Sequence, residues 1–266
     1  MRRAPVVANQ FYPGDPRSLK ETLADLIPRN GKQKKDALAV ISPHAGYIYS
    51  GAVAGETFAS VNIPEDVIIL GPNHHGYGAA IAMMHEGEWE MPLGRVPINT
   101  ALAELIMDPA IEHDDIAHRF EHSLEVQLPF LQTLQKNLSI VPLVVSHVPF
   151  PLCAAAGKTI ARAIRKYAKP VLLVASTDMT HYESRQTASR KDQLALEHIK
   201  NLDPQGLYDT VTGQKISMCG IMPTTIVLIA ALELGASHAQ LIRYTDSGEA
   251  SGDIDRVVGY AGLVIT

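Results

Sequence analysis

Three loops set histidines just beyond short apolar runs, and between them they carry the donor types of a metal or proton-transfer centre. Ala37-Leu38-Ala39-Val40-Ile41 runs into Ser42-Pro43-His44-Ala45-Gly46-Tyr47, and Val67-Ile68-Ile69-Leu70 into Gly71-Pro72-Asn73-His74-His75-Gly76. Val171-Leu172-Leu173-Val174 runs into Ser176-Thr177-Asp178-Met179-Thr180-His181-Tyr182. Crowded neutral imidazoles disfavour one another's protonation, and a borderline cation is the usual way to hold several of them close. His44 and His74 are the best-placed ligands, because each comes one or two residues after a proline in a tight, Gly-flanked loop that fixes the ring. His75 diverges from His74, so one of the two faces the metal and the other a neighbouring group or substrate. Asp178 and His181 suit general acid/base work or the orientation of a ligand, although Thr177-Asp178 is equally an ordinary helix-start sequence.

Two further segments carry chemistry. His122 and Glu125 are three apart in Glu121-His122-Ser123-Leu124-Glu125, hence on one face near a helix terminus, with Pro129 just beyond. A buried ion pair is the structural alternative for that pair. Cys219, in Ser217-Met218-Cys219-Gly220, precedes a helix N-terminus whose dipole favours the thiolate. Two imidazoles and a thiolate suit copper(I), zinc or iron(II), with a coordination position left for water or substrate. Cys153 reads as a small buried apolar residue. His113, His118, His147, His198 and His238 read as surface or capping groups.

The elements that must position these residues are short apolar strands alternating with helices. Strands are expected at residues 37–42, 66–71, 138–146, 170–176, 239–245 and 258–266. Helices are expected over Arg17–Ile27, Gly51–Ala59, Thr100–Met107, Pro151–Tyr167, Gln186–Ile199 and Pro223–Leu234, the first capped by Asp15 and the last closed by Gly235. Residues 81–96 break the alternation and read as a β excursion. The alternation predicts an α/β fold, a single domain over residues 1–266, with a mostly parallel central sheet covered by helices on both faces. Ligands bind at the carboxyl edge of such sheets, so residues spread over some 140 positions converge there.

Composition narrows the function classes. With 46% hydrophobic and 19% charged residues the chain has an ordinary globular composition. A net charge of −5 and the lack of a concentrated basic surface argue against nucleic-acid binding; the densest basic run, Lys32 to Lys35, reads as a solvated loop. Two cysteines are too few for a disulfide framework. The apolar stretch Thr225–Leu232 ends at Glu233, short of the roughly 20 residues a membrane span needs. No apolar signal segment follows Arg2-Arg3. A cytoplasmic protein is the resulting expectation.

Pro-His-Ala-Gly-Tyr, Gly-Pro-Asn-His-His, Glu-His-Ser-Leu-Glu, Ser-Thr-Asp-Met-Thr-His-Tyr and Met-Cys-Gly, in that order and with Asn9-Gln10-Phe11-Tyr12-Pro13 ahead of them, resemble the Memo family of cell-motility mediators. The resemblance covers nearly the whole chain. It implies a fold similar to the LigB-type extradiol dioxygenases, metal ligation by His44, His74 and Cys219 with iron or copper, and a pocket lined by His122, Asp178 and His181. It also implies pathway partners of the radical-SAM and AMMECR-like types, the AmmeMemoRadiSam association. The ring-cleaving enzymes use two histidines and a glutamate, whereas here the third position is Cys219, which argues against catechol cleavage. Three functions follow as expectations. The first is a non-haem, metal-dependent oxidoreductase, with Asp178 and His181 moving protons and His122 orienting substrate. The second is a non-catalytic module taking a peptide or protein in the same cleft, and the third a zinc-type metallohydrolase using Asp178 or Glu125 as base.

Overall fold

The computed structural model describes residues 2–28 and 34–266; Lys32 and Gln33 of the basic run lie outside them. In chain order the elements are β1 (Arg2–Arg3), α1 (Pro16–Leu26), β2 (Ala39–Ser42), α2 (Tyr47–Ala59), β3 (Asp66–Pro72), β4 (Ile81–Met83), β5 (Glu88–Met91), β6 (Gly94–Pro97), α3 (Thr100–Ile106) and β7 (Glu112–His113). A 3-10 turn at Glu125–Gln127 leads into α4 (Leu128–Leu134), followed by β8 (Ser139–Val145), α5 (Phe150–Tyr167), β9 (Val171–Ser176), β10 (His181–Glu183), α6 (Arg185–Lys200) and α7 (Pro204–Gly213). The chain ends with α8 (Ile221–Glu233), β11 (Ala239–Asp246), α9 (Gly248–Ser251) and β12 (Val257–Ile265).

Side-chain alternation along the central strands explains why one sheet needs helices on both faces. Ala39, Ile41, Ile68, Leu70, Leu173 and Ala175 point into a core shared with α3, α5, α6, α7 and α8. Val40, Val67, Ile69, Leu172 and Val174 point the other way, into a core shared with α1, α2 and α4. Both sets are fully buried, so each strand reads as a continuous apolar run, the signature of a sheet covered twice. The order is β10-β12-β2-β9-β3-β8-β4-β7, with β11 added on β12. The four central strands β2, β9, β3 and β8 are parallel, whereas β12 and β4 join them antiparallel. The β excursion forms β4 and the antiparallel pair β5–β6, to which β1 adds in parallel.

Register sets up the site. Ser42 lies beside Ser176 and Pro72 beside Val145, so the carboxyl ends of the central strands are level. Two residues beyond those four ends come His44, Asp178, His74 and His147.

Several boundaries differ from the sequence reading. Pro129 lies in the first turn of α4, just after Leu128, and α8 begins at Ile221, two residues before Pro223. Both prolines fall in a first turn, where the missing N–H costs nothing. Helix α7 has no counterpart in the periodicity, because only Leu207 and Val211 of it are buried. Among the described residues no helix is long and apolar enough to cross a membrane.

Candidate metal centre

The level strand ends bring three imidazoles together. One ring nitrogen each from His44, His74 and His122 lies within 4.8 Å of the others. The His74 and His122 rings stack at 4.6 Å between centroids, and His44 meets them edge-on at 5.3 and 5.5 Å.

The hydrogen-bond network assigns the tautomer of His44. Ser176 Oγ has a single proton, which goes to the Ser123 carbonyl at 2.7 Å. It therefore accepts from Gln127 Nε2 at 2.8 Å and from His44 Nδ1 at 2.9 Å. With Nδ1 protonated, His44 Nε2 is left as a lone pair. Cys219 Sγ lies 3.3 Å from that nitrogen.

His74 is set by a carboxylate. Glu121 Oε1 accepts from His74 Nδ1 at 2.8 Å and from the Ser123 N–H at 2.9 Å, while Oε2 accepts the His74 backbone N–H at 2.8 Å. This is the carboxylate–histidine arrangement that fixes a ligand ring and leaves Nε2 for an ion. Glu121 is fully buried. Burial alone would raise its pKa, but the bond and charge of His74, the charge of His122 and the Ser123 N–H hold it far below the usual carboxylate range. Burial likewise works against a proton on His74, and Glu121 outweighs it, raising that imidazole.

The other two imidazoles go the opposite way. Burial and the neighbouring His74 lower His44 to about 3, and burial with His44 lowers His122 to about 4. Two of the three rings are therefore neutral at ordinary pH and offer lone pairs, as a metal requires.

Asp178 and Cys219 close one side. Asp178 Oδ1 accepts the His44 backbone N–H at 2.8 Å, and its own N–H donates to Cys219 Sγ at 3.3 Å. Burial raises the Asp178 carboxyl above its ordinary value. Burial and the Asp178 charge push the Cys219 thiol far up. The expectation of a dipole-lowered thiol at the start of α8 is corrected here: desolvation next to a carboxyl outweighs the helix terminus, and a thiolate at Cys219 requires a cation beside it. His181 is oriented by Ser217, whose carbonyl accepts from its Nδ1 and whose hydroxyl accepts its backbone N–H, both at 2.8 Å. Buried Asp192 takes the Thr180 N–H at 2.9 Å and fixes the same loop.

Three sequence readings are changed by the fold. Glu125 does not share a face with His122, because regular helix does not begin until after Ser123-Leu124. It lies in a separate clamp, accepting from Arg3 Nη1 at 2.7 Å, Tyr12 Oη at 2.6 Å and the Val6 and Val7 N–H groups. His75 turns to the surface, where Nε2 meets the Phe120 carbonyl at 2.9 Å and the ring stands 6.2 Å from that of Tyr77. His118 is buried rather than superficial, with Nε2 3.2 Å from the Ala82 carbonyl.

The sequence reading missed Glu121, Ser176 and Gln127, which orient the rings, and Arg3, whose guanidinium also bonds the His118 and Glu121 carbonyls. The available signal was adjacency: Glu121 immediately precedes a site histidine, and Ser176 is the last residue of a strand that feeds the site.

A family model described as Memo-like protein matches residues 3–264. A MEMO1 family protein of Methanopyrus kandleri is 39% identical over 279 residues, covering 99% of each chain. One from Saccharolobus solfataricus is 41% identical over 278 residues, covering 98% of each. Among solved structures, an uncharacterized protein from Escherichia coli K12 superposes with a TM-score of 0.59 at 15% identity, over 85% of this chain and 98% of that one. That likeness shows a shared α/β fold.

Proposed function

The chain belongs to the Memo-like family, and on that premise we propose that it is a metal-dependent redox enzyme acting on a small molecule. Iron or copper is held by His44, His74 and His122, with Cys219 at its border. The observation that carries this reading is the set of three ring nitrogens within 4.8 Å, two of them aimed by hydrogen bonds at the opposite ring nitrogen.

The residues fit such an ion. Imidazole and thiolate donors suit iron(II) and copper(I), and a cation beside Cys219 would lower a thiol that the protein alone keeps protonated. The sequence assigned His44, His74 and Cys219 as ligands and left His122 to the pocket; the reading proposed here adds His122 to the ion. Glu121 does not join it, since its oxygens are spent on His74 and Ser123. The donor set is therefore not two histidines and a carboxylate, which supports chemistry other than catechol cleavage.

A bound iron or copper ion would supply one-electron chemistry and a coordination site for substrate. The chain supplies the rest. Ser176 and Glu121 hold the rings, Asp178 stands beside the cluster with Oδ1 on the His44 backbone N–H, and His181 is fixed by Ser217 to exchange a proton with substrate. Elemental analysis of anaerobically purified protein tests the reading. Stoichiometric iron or copper is expected in the wild type, with loss in His74→Ala and His122→Ala. Undiminished metal in both variants overturns it, and bound zinc without any redox response would favour the hydrolase reading.

A second reading, a peptide or protein partner in the same cleft, is favoured by one observation. Tyr77 and Phe120, each 51% exposed, form an aromatic rim with His75 next to the His74 loop. Saturable partner binding that survives removal of the metal and is lost on Phe120→Ser would support it.

A further inference from the structure

Of the four parallel strand ends, three deliver residues to the imidazole cluster and its border; the fourth, β8, delivers His147. From sequence alone that residue reads as a surface or capping group. A cavity of about 410 Å³ lies there, lined by His147 and also by Thr212, Lys215, Ser217 and Cys219. Its volume is that of a small-molecule site. Cys219 is common to this cavity and to the edge of the cluster, with Sγ 3.3 Å from His44 Nε2. Ser217, also in the lining, is the residue that orients His181.

The charge of the lining is one-sided. Lys215 faces it without an ion pair among the described residues, and no carboxylate takes part. Three other cavities each include an acidic side chain, respectively Asp25, Glu233 and Glu249. Lys215 is also held in place by its backbone. It closes α7 at φ 53°, with its N–H on the Thr212 carbonyl and that of Ile216 on Val211. Glycine is the usual occupant of such a position, so a lysine there keeps a cation at the cavity rim against a backbone preference.

We propose that this cavity takes the anionic end of the substrate, a carboxylate or phosphate bound by Lys215 with hydroxyls and imidazole nearby, so that the rest of the molecule reaches the cluster past Cys219. The proposal names a substrate class for the redox site and rests on that reading. It predicts small acids or phosphate esters rather than neutral or cationic compounds.

The test is calorimetric titration of the whole protein, metal-free and iron-loaded, with inorganic phosphate and with benzoate at low salt. At least one of the two is expected to bind saturably. Lys215→Gln should weaken that binding about tenfold, the loss typical of one charged hydrogen bond. Lys215→Arg should restore most of it, and Lys158→Gln in another cavity should change nothing. Binding of phosphate alone points to phosphate esters, and of benzoate alone to carboxylic acids. No saturable binding of either, or equal affinity in Lys215→Gln, overturns the proposal. Anion binding through Lys215 in a protein that takes up no metal would refute the redox reading while leaving the pocket standing.

Discussion

Glu121 and Glu125 are four residues apart on one segment, and both are fully buried, yet they do opposite work. Glu125 meets a permanent cation: Arg3, 3% exposed, pairs with it at 2.7 Å, while Tyr12 and two backbone N–H groups take up its remaining lone pairs. Every charge there is satisfied, and the result ties the N-terminal segment to the back of the His122 loop. Glu121 meets a titratable ring instead, and its partner His74 keeps a second nitrogen free. A carboxylate saturated by arginine holds the fold, whereas one matched to an imidazole whose other nitrogen is open prepares a binding site. The distinction lies in the partner rather than in burial or sequence position.

The largest effect should come from breaking the clamp. Glu125→Ala leaves Arg3 buried without its counter-charge, which costs about 3–5 kcal/mol of stability by chemical denaturation. Metal affinity of the molecules that still fold should be nearly unchanged. Glu121→Gln should do the reverse, lowering metal affinity by about 10–100-fold in competition with a chelator while the unfolding midpoint moves little. Equal destabilisation by the two substitutions would erase the comparison.

Acid sharpens it further, since the clamp has its own buried imidazole. His118 is lowered to about 3, first by burial and then by Arg3. The unfolded chain binds that proton near pH 6.5 and the folded one does not, so the stabilisation is complete above pH 6.5. It drains as pH falls from there toward about 3. His118→Gln should therefore reduce the pH slope of stability by about 1.4 kcal/mol per pH unit in that window. The smallest effect belongs to the rim. Tyr77→Ser and Phe120→Ser should change stability by less than about 0.5 kcal/mol and leave metal content alone, because neither side chain is needed by clamp or cluster.

Much of this was legible beforehand. Apolar runs of four or five residues mark the central strands, and the loops after β2, β3 and β9 put His44, His74 and Asp178 at the carboxyl edge of the sheet, because buried parallel strands have a strong local signal. The ordered motifs named the family. What escaped depended on distance in the chain. Choosing Glu125 over Glu121 followed from assuming helix across residues that turn instead, and nothing local says that Arg3 will claim Glu125 from 122 positions away. Helix polarity predicts a thiolate at Cys219, an effect that burial beside Asp178 outweighs. The loop after β8 lacks the Gly-flanked signature, so nothing local singles out His147, although register puts it level with the other strand ends.

The most direct test is a crystal of the iron- or copper-loaded protein with data collected at the metal's absorption edge. The account predicts an anomalous peak at ordinary bonding distance, about 2.0–2.3 Å, from nitrogens of His44, His74 and His122. A peak elsewhere, or none in crystals grown from metal-replete protein, contradicts it.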